Sequence, residues 1–121
     1  MKKILIIEDN ADLAKMLADQ IGKSDYQVDI ANDGEEGFLK ANSFRPDLIT
    51  LDLKLPKIDG YRLCEMLKLE ETTKSIPIIV ISGRNEEIEI KAAFALGAEE
   101  YFVKPYDSKT LLDKIKQLIG S

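Results

Sequence analysis

Four apolar runs recur along this chain, each closed by a polar or charged residue, with helix-period segments between them. Ile4-Leu5-Ile6-Ile7 runs into Glu8-Asp9, and Leu48-Ile49-Thr50-Leu51 into Asp52. Ile78-Ile79-Val80-Ile81 runs into Ser82, and Tyr101-Phe102-Val103 into Lys104-Pro105. Such alternation marks βαβ units and a parallel sheet. In an open α/β sheet, ligands bind outside the carboxyl ends of the strands. One fold would therefore gather three carboxylates, a hydroxyl and an ammonium at a single edge.

The pattern predicts strands over Lys3–Ile7, Gln27–Ala31, Leu48–Leu51, a segment introduced by Ile76-Pro77, and Glu100–Val103. The first, third and fourth strands are nearly all apolar, as strands covered on both faces should be; the second alternates like an edge strand. A first helix is expected from Ala11 to Gly22, with Leu13, Met16, Leu17 and Ile21 on one inward stripe. A second starts at Asn32-Asp33-Gly34 and reaches about Asn42, and a third runs from Asp59-Gly60 to about Leu69. The fourth covers about Glu86 to Leu96, with Ile90, Ala93 and Phe94 spaced to face inward, and Gly97 suits the left-handed turn that ends it. Asp107 or Ser108 caps a fifth helix striped by Leu111, Leu112, Ile115 and Leu118. Cys64 reads as a small packing residue, and Ile88 lies off the inward stripe.

The 121 residues suit one domain, 1–121, with no linker or repeat. The formal net charge of -5 argues against nucleic-acid binding, which usually shows a basic patch. No apolar run approaches the roughly 20 residues of a membrane span. Glu8-Asp9 interrupts the stretch after Met1-Lys2-Lys3 too early for a signal peptide. A single cysteine forms no internal disulfide, so the cytoplasm is the expected compartment. With no histidine in the chain, a metal would be oxygen-ligated and hard, such as magnesium.

The edge residues suit phosphoryl transfer. The Asp52 carboxylate can attack a phosphoryl group and form an aspartyl-phosphate, but it is a weak nucleophile toward an anion unless charge is neutralised. Glu8 and Asp9 are placed to hold a divalent cation beside it. Lys104 offers a second positive charge, and Ser82 a hydrogen bond to a phosphoryl oxygen. Phosphoryl transfer asks mainly for such positioning and charge stabilisation. Each residue alone has a plainer reading: Asp52 as a loop residue or helix cap, Ser82 as a turn residue, Lys104 as a solvated charge. Their joint placement at four strand ends favours the shared site.

The chain resembles the receiver domain of two-component response regulators. The resemblance rests on Glu8-Asp9, the segment from Asp52 through Lys54 to Asp59-Gly60, Ser82, and the segment from Gly97 to Tyr106. It implies a flavodoxin-like three-layer sandwich, (βα)5, with a five-stranded parallel sheet in the order 2-1-3-4-5. It implies that Asp52 is the phosphoacceptor and that Glu8, Asp9, Asp52 and the Lys54 carbonyl bind magnesium, with manganese able to substitute. It gives Ser82 and Lys104 to the phosphoryl group, makes Lys104-Pro105 a cis peptide, and gives Tyr101 a switch role. The implied function is phosphorelay signalling: a sensor histidine kinase or histidine phosphotransfer protein donates, and the face of the fourth helix, fifth strand and fifth helix controls a downstream protein or fused output domain. Such a domain catalyses its own phosphorylation and dephosphorylation and is not a turnover enzyme.

Some residues depart from the family's habits. Gly83 stands where alanine is usual, and Lys54 and Arg84 are both basic at positions the family varies. Ala92 and Thr110 replace charges used for one dimer mode. A magnesium-dependent phosphatase would usually carry a second aspartate where Lys54 stands. A flavodoxin-like nucleotide binder would carry a glycine-rich loop after the first strand, not Glu8-Asp9-Asn10. A scaffold that binds partners without phosphorylation would have no use for the intact acidic pair, Ser82 and Lys104.

Overall fold

The structure, a computed structural model, describes residues 1–120. Strands β1 (Lys3–Ile7), β2 (Gln27–Ala31), β3 (Leu48–Leu51), β4 (Ile78–Ser82) and β5 (Glu100–Val103) alternate with helices α1 (Ala11–Gly22), α2 (Gly34–Ser43), α3 (Gly60–Leu69), α4 (Glu87–Ala95) and α5 (Ser108–Ile119). All pairings are parallel, in the order β2-β1-β3-β4-β5. This is the flavodoxin-like arrangement.

Alternate residues of a strand face opposite sides of the sheet. Leu5 and Ile7 of β1 join Ile49, Leu51, Ile78 and Val80 in a core beneath α2 and α3, which supplies Leu63 and Leu67. Ile4 and Ile6 join Ile79 and Ile81 in a second core, beneath Leu17 and Ile21 of α1 and Leu111 and Ile115 of α5. Both faces of β1, β3 and β4 are thus covered, which explains their unbroken apolar sequence. β2 and β5 lie at the edges and are only partly buried.

Short polar side chains start four of the helices. The carboxylates or amides of Asn10, Asp33, Asp59 and Asp107 accept hydrogen bonds from the backbone N–H of Leu13, Glu36, Tyr61 and Thr110. Glu36 reaches back to the N–H of Asn32 at 2.6 Å, so the start of α2 is closed from both sides. Helix α4 starts from Glu86, which makes no side-chain cap bond. Gly97 ends the α4 segment with φ +108°. Cys64 is buried in α3 with its thiol 3.7 Å from the Leu96 carbonyl, just past α4.

Three expected core residues lie outside. Leu13 and Met16 are 36% and 47% exposed. They sit in the opening turns of α1, where the helix borders a cavity instead of sheet; Ala14, Leu17 and Ile21 make the buried stripe. Phe94 is 42% exposed, because α4 rests on its neighbours through the small Ala93 and its next residue points past the contact. No described helix is long and apolar enough to cross a membrane.

Candidate functional site

Sheet ladders run one residue beyond the strands and fix the edge. The Glu8 N–H donates to Ala31 O at 3.0 Å, the Asp52 N–H to Ile7 O at 3.0 Å, and the Lys104 N–H to Ser82 O at 2.8 Å. Three chain segments from three different strands are therefore held in register where the apolar runs stop. Glu8 and Asp52 are each 7% exposed, Ser82 is buried, and Asp9 is exposed.

Carboxylate oxygens of Glu8, Asp9 and Asp52 lie within 4.8 Å of one another. The Lys104 ammonium bridges two of these groups, 2.7 Å from Glu8 Oε1 and 3.0 Å from Asp52 Oδ2. The other Asp52 oxygen accepts from the Lys54 N–H at 3.2 Å, and Glu8 Oε2 accepts from the Asn10 N–H at 3.1 Å. Each Asp52 oxygen is thus held by a partner of its own, one from the loop after β3 and one from the end of β5. The peptide bond between Lys104 and Pro105 is cis.

Three carboxylates face one ammonium, so the charges do not balance. Burial pushes the Glu8 carboxyl up to about 7, against the pull of the Lys104 ammonium and the Asn10 N–H, and the neighbouring Asp52 carboxylate adds to the rise. Burial also works against the Lys104 ammonium, yet its bonds to Glu8 and Asp52 outweigh that cost and hold its pKa above the ordinary lysine value. A 2.7 Å contact is that of a charged pair. The rise at Glu8 is therefore mainly a cost of burial, to which the Asp52 charge adds and which Lys104 only partly offsets. An all-oxygen donor set with surplus negative charge, part buried and part open, fits a hard divalent cation such as magnesium.

Ser82 lies at the end of β4, and its Oγ accepts from the Arg84 N–H at 3.2 Å. The half-buried Tyr101 donates its hydroxyl to the Arg84 carbonyl at 2.7 Å, and burial raises its pKa. Tyr101 is therefore tied already to the loop that Ser82 begins. The same loop carries contacts that sequence reasoning did not anticipate. The Arg84 guanidinium lies 5.5 Å from the Tyr61 ring centre and 3.7 Å from Glu89, and the Tyr61 hydroxyl donates to the Glu89 carbonyl at 3.2 Å. No periodicity links those three positions. A cavity of about 370 Å³ opens from Glu8, Asp52 and Lys104 toward Leu13, Met16 and Tyr106. Its one sequence signal is that Leu13 and Met16 follow closely on Asp9-Asn10, beyond the end of the first strand.

A 2-1-3-4-5 parallel sheet that carries an acidic cluster and a bridging lysine at its carboxyl edge defines a flavodoxin-like α/β domain with a polar, cation-suited pocket. More narrowly, the chain belongs to the response regulator receiver domain family, whose sequence profile matches residues 4–116. It is a signalling domain of the two-component type. It is 40% identical over 119 residues to the response regulator ArlR of Staphylococcus saprophyticus, matching 98% of this chain and 53% of that protein. The chain thus spans about half the length of the curated relatives it matches. Among solved structures, the signal receiver domain of a DNA-binding response regulator from Colwellia psychrerythraea 34H superposes with a TM-score of 0.93 at 30% identity, covering 100% of both chains. The receiver domain of a sensor histidine kinase from Pseudomonas aeruginosa PAO1, solved with magnesium coordinated in its active-site cleft, gives a TM-score of 0.90 at 26% identity, covering 99% of this chain and 98% of that one.

Proposed function

We propose that Asp52 accepts a phosphoryl group from a phosphohistidine of a sensor histidine kinase or histidine phosphotransfer protein. The observation that carries this reading is the Lys104 ammonium held between Glu8 and Asp52 at a buried, acid-rich strand edge. An Asp52 oxygen attacks phosphorus while the phosphorus–nitrogen bond of the donor breaks, and the electron pair of that bond stays on the imidazole. The Lys54 N–H and the Lys104 ammonium hold the carboxylate in position for this attack. Lys104 then turns its charge to the transferred oxygens, and the Ser82 hydroxyl donates to another. Glu8, Asp9, Asp52 and the Lys54 carbonyl would hold a magnesium ion, or manganese in its place. Once bound, the ion supplies charge neutralisation to the phosphoryl oxygens. The phosphoryl group leaves when water attacks phosphorus, which releases inorganic phosphate and restores the carboxylate. The domain thus catalyses its own labelling and unlabelling and turns over no external substrate.

The output follows from Ser82. A phosphoryl group that draws Ser82 inward moves the loop at Arg84, to which Tyr101 is bonded. The α4–β5–α5 face changes with it and controls a downstream protein or fused output domain. Phosphorylation shifts a pre-existing equilibrium between two shapes. The domain itself contacts neither nucleic acid nor membrane. Phosphotransfer from a panel of histidine kinases, measured on intact protein and on Asp52→Asn, tests the assignment. Labelling that persists undiminished in Asp52→Asn overturns it.

A further inference from the structure

We propose that Gly34, at the start of α2, is a positioning residue for the Asp52 carboxylate; the inference rests on the phosphoacceptor reading above. The loop that follows Asp52 begins with the Lys54 N–H on Asp52 Oδ1 and then doubles back. The Ile58 N–H donates to the Pro56 carbonyl at 2.8 Å, which makes a three-residue turn around Lys57. Lys57 takes φ +68°, a conformation that side-chain-bearing residues reach only under strain in such a turn. A turn of that kind persists only where its surroundings hold it.

The hold comes from α2. The Gly34 N–H donates to the Pro56 carbonyl at 3.1 Å, so this one carbonyl closes the turn and anchors it to the helix. Asp33 faces the Lys57 ammonium at 3.6 Å. Gly34 lies so close to Ile58 that a Cβ there would meet the Ile58 carbonyl oxygen and lie 2.6 Å from the Ile58 Cβ. The loop backbone therefore uses the space that any side chain at position 34 would fill. At its far end the Gly60 N–H donates to Leu53 O at 2.9 Å, so the loop is pinned at both ends and has little freedom to absorb a push. Displacement at Ile58 is passed back toward Lys54 and the Asp52 oxygen it orients.

Gly34→Ala tests this, with Ala41→Gly as a control that weakens the same helix away from the loop. Outer contacts that orient metal and nucleophile groups cost roughly 10- to 100-fold in affinity or rate when lost. Gly34→Ala should therefore weaken magnesium binding about tenfold, followed by NMR titration with magnesium chloride, and slow labelling by a small acyl phosphate at saturating magnesium. Ala41→Gly should lower Tm and leave both site readouts unchanged. A Gly34→Ala protein that loses Tm but keeps parental magnesium affinity and labelling rate overturns the proposal. Should Gly34→Ala not fold, the parent protein still decides. Coupling is reciprocal, so saturating magnesium should slow exchange of the Gly34 amide several-fold without changing that of Ala41. An unresponsive Gly34 amide overturns the proposal as well. Failure of the acyl phosphate to label the parent at all would strike the phosphoacceptor reading, and the Gly34 response to magnesium would still be read by itself.

Discussion

The carboxyl edge of the sheet and helix α4 lie at opposite ends of a scale of constraint. At the edge, ladder hydrogen bonds fix Glu8, Asp52 and Lys104, and two of the three carboxylates are buried. Helix α4 is nine residues long, starts without a side-chain cap bond, and buries Ala93 while Ile88 and Phe94 stay exposed. By contrast α1, with twelve residues, has a capping Asn10 and buries Ala14, Leu17 and Ile21. Chemistry needs atoms held to within fractions of an ångström, whereas a readout needs an element whose position is inexpensive to change. Elements with few buried contacts open at low free energy, and moving parts are drawn from them. The three acidic and basic groups held by the ladder stand on the first kind of element, and Ile88 and Phe94 stand exposed on the second.

The largest effect expected is at the rigid end. Asp52→Asn should abolish labelling by an acyl phosphate with magnesium, read as loss of the one-phosphoryl mass gain on intact protein. Lys104→Ala should slow labelling on the order of 100-fold, the usual cost of losing one preorganised electrostatic contact. It should leave a folded domain, whose metal-free form now carries an unrelieved acidic cluster. Labelling at the parental rate would reduce Lys104 to an ion-pair partner. Asp9→Ala should weaken magnesium binding more than the roughly tenfold that even an outer contact costs. Its metal-free Tm should hold or rise, because like charges crowd that pocket. Parental affinity in Asp9→Ala would place the ion elsewhere.

At the loose end the effects are smaller. Glu86 already has the extended backbone of a cap residue, φ -75° and ψ 142°, but makes no cap bond. Glu86→Asp should supply that bond and stabilise α4 by about 0.5–1 kcal/mol, visible as slower amide exchange in its first turns. If the difference in constraint is what makes α4 the readout, a beryllofluoride mimic should then change α4 exchange less than in the parent. The mimic should alter α4 and β5 in the parent by a coupling of about 1–3 kcal/mol. Changes confined to the loops around Asp52 would break the link.

Acid separates the helices most gently. Asp107 is held below the usual carboxylate range by its bonds from the Thr110 hydroxyl and N–H, and Asp33 by the N–H of Glu36. A lowered folded-state pKa adds stability that is present above the unfolded value, near 4, and disappears as pH falls through the folded one. Starts of α2 and α5 should loosen below about pH 4, followed by amide exchange, while the start of α4 shows no matching step.

The element order and the strand ends were legible because runs such as Ile78-Ile79-Val80-Ile81 are apolar on both faces and stop at one polar residue. The helix start at Asn32-Asp33-Gly34 and the cap at Asp107 were legible for a local reason, a side chain that bonds its own chain three residues on; the cap at Asn10 was not anticipated. A parallel sheet places all its strand ends on one side, so the proximity of Glu8, Asp9, Asp52 and Lys104 followed from topology. What depended on contacts between distant segments was not legible. The α1 pattern put Leu13 and Met16 in the same stripe as Leu17, because a helix period does not say where the sheet beneath it ends. Phe94 was misplaced for a related reason: the small Ala93, not the large ring, sets how closely α4 approaches. The Gly34–Pro56 bond and the Arg84–Tyr61–Glu89 contacts join loops with no periodic signature.

Cys64 gives the molecule a built-in stopwatch. Burial pushes its thiol up to about 11, and its sulfur is covered at the seam between α3 and the residue that follows α4. A thiol-specific reagent can reach it only when that seam parts. The rate at which the intact protein is alkylated therefore measures how often that seam opens, without any label having been introduced. Comparing that rate with and without a phosphoryl mimic would show whether the site at Asp52 and this seam are coupled.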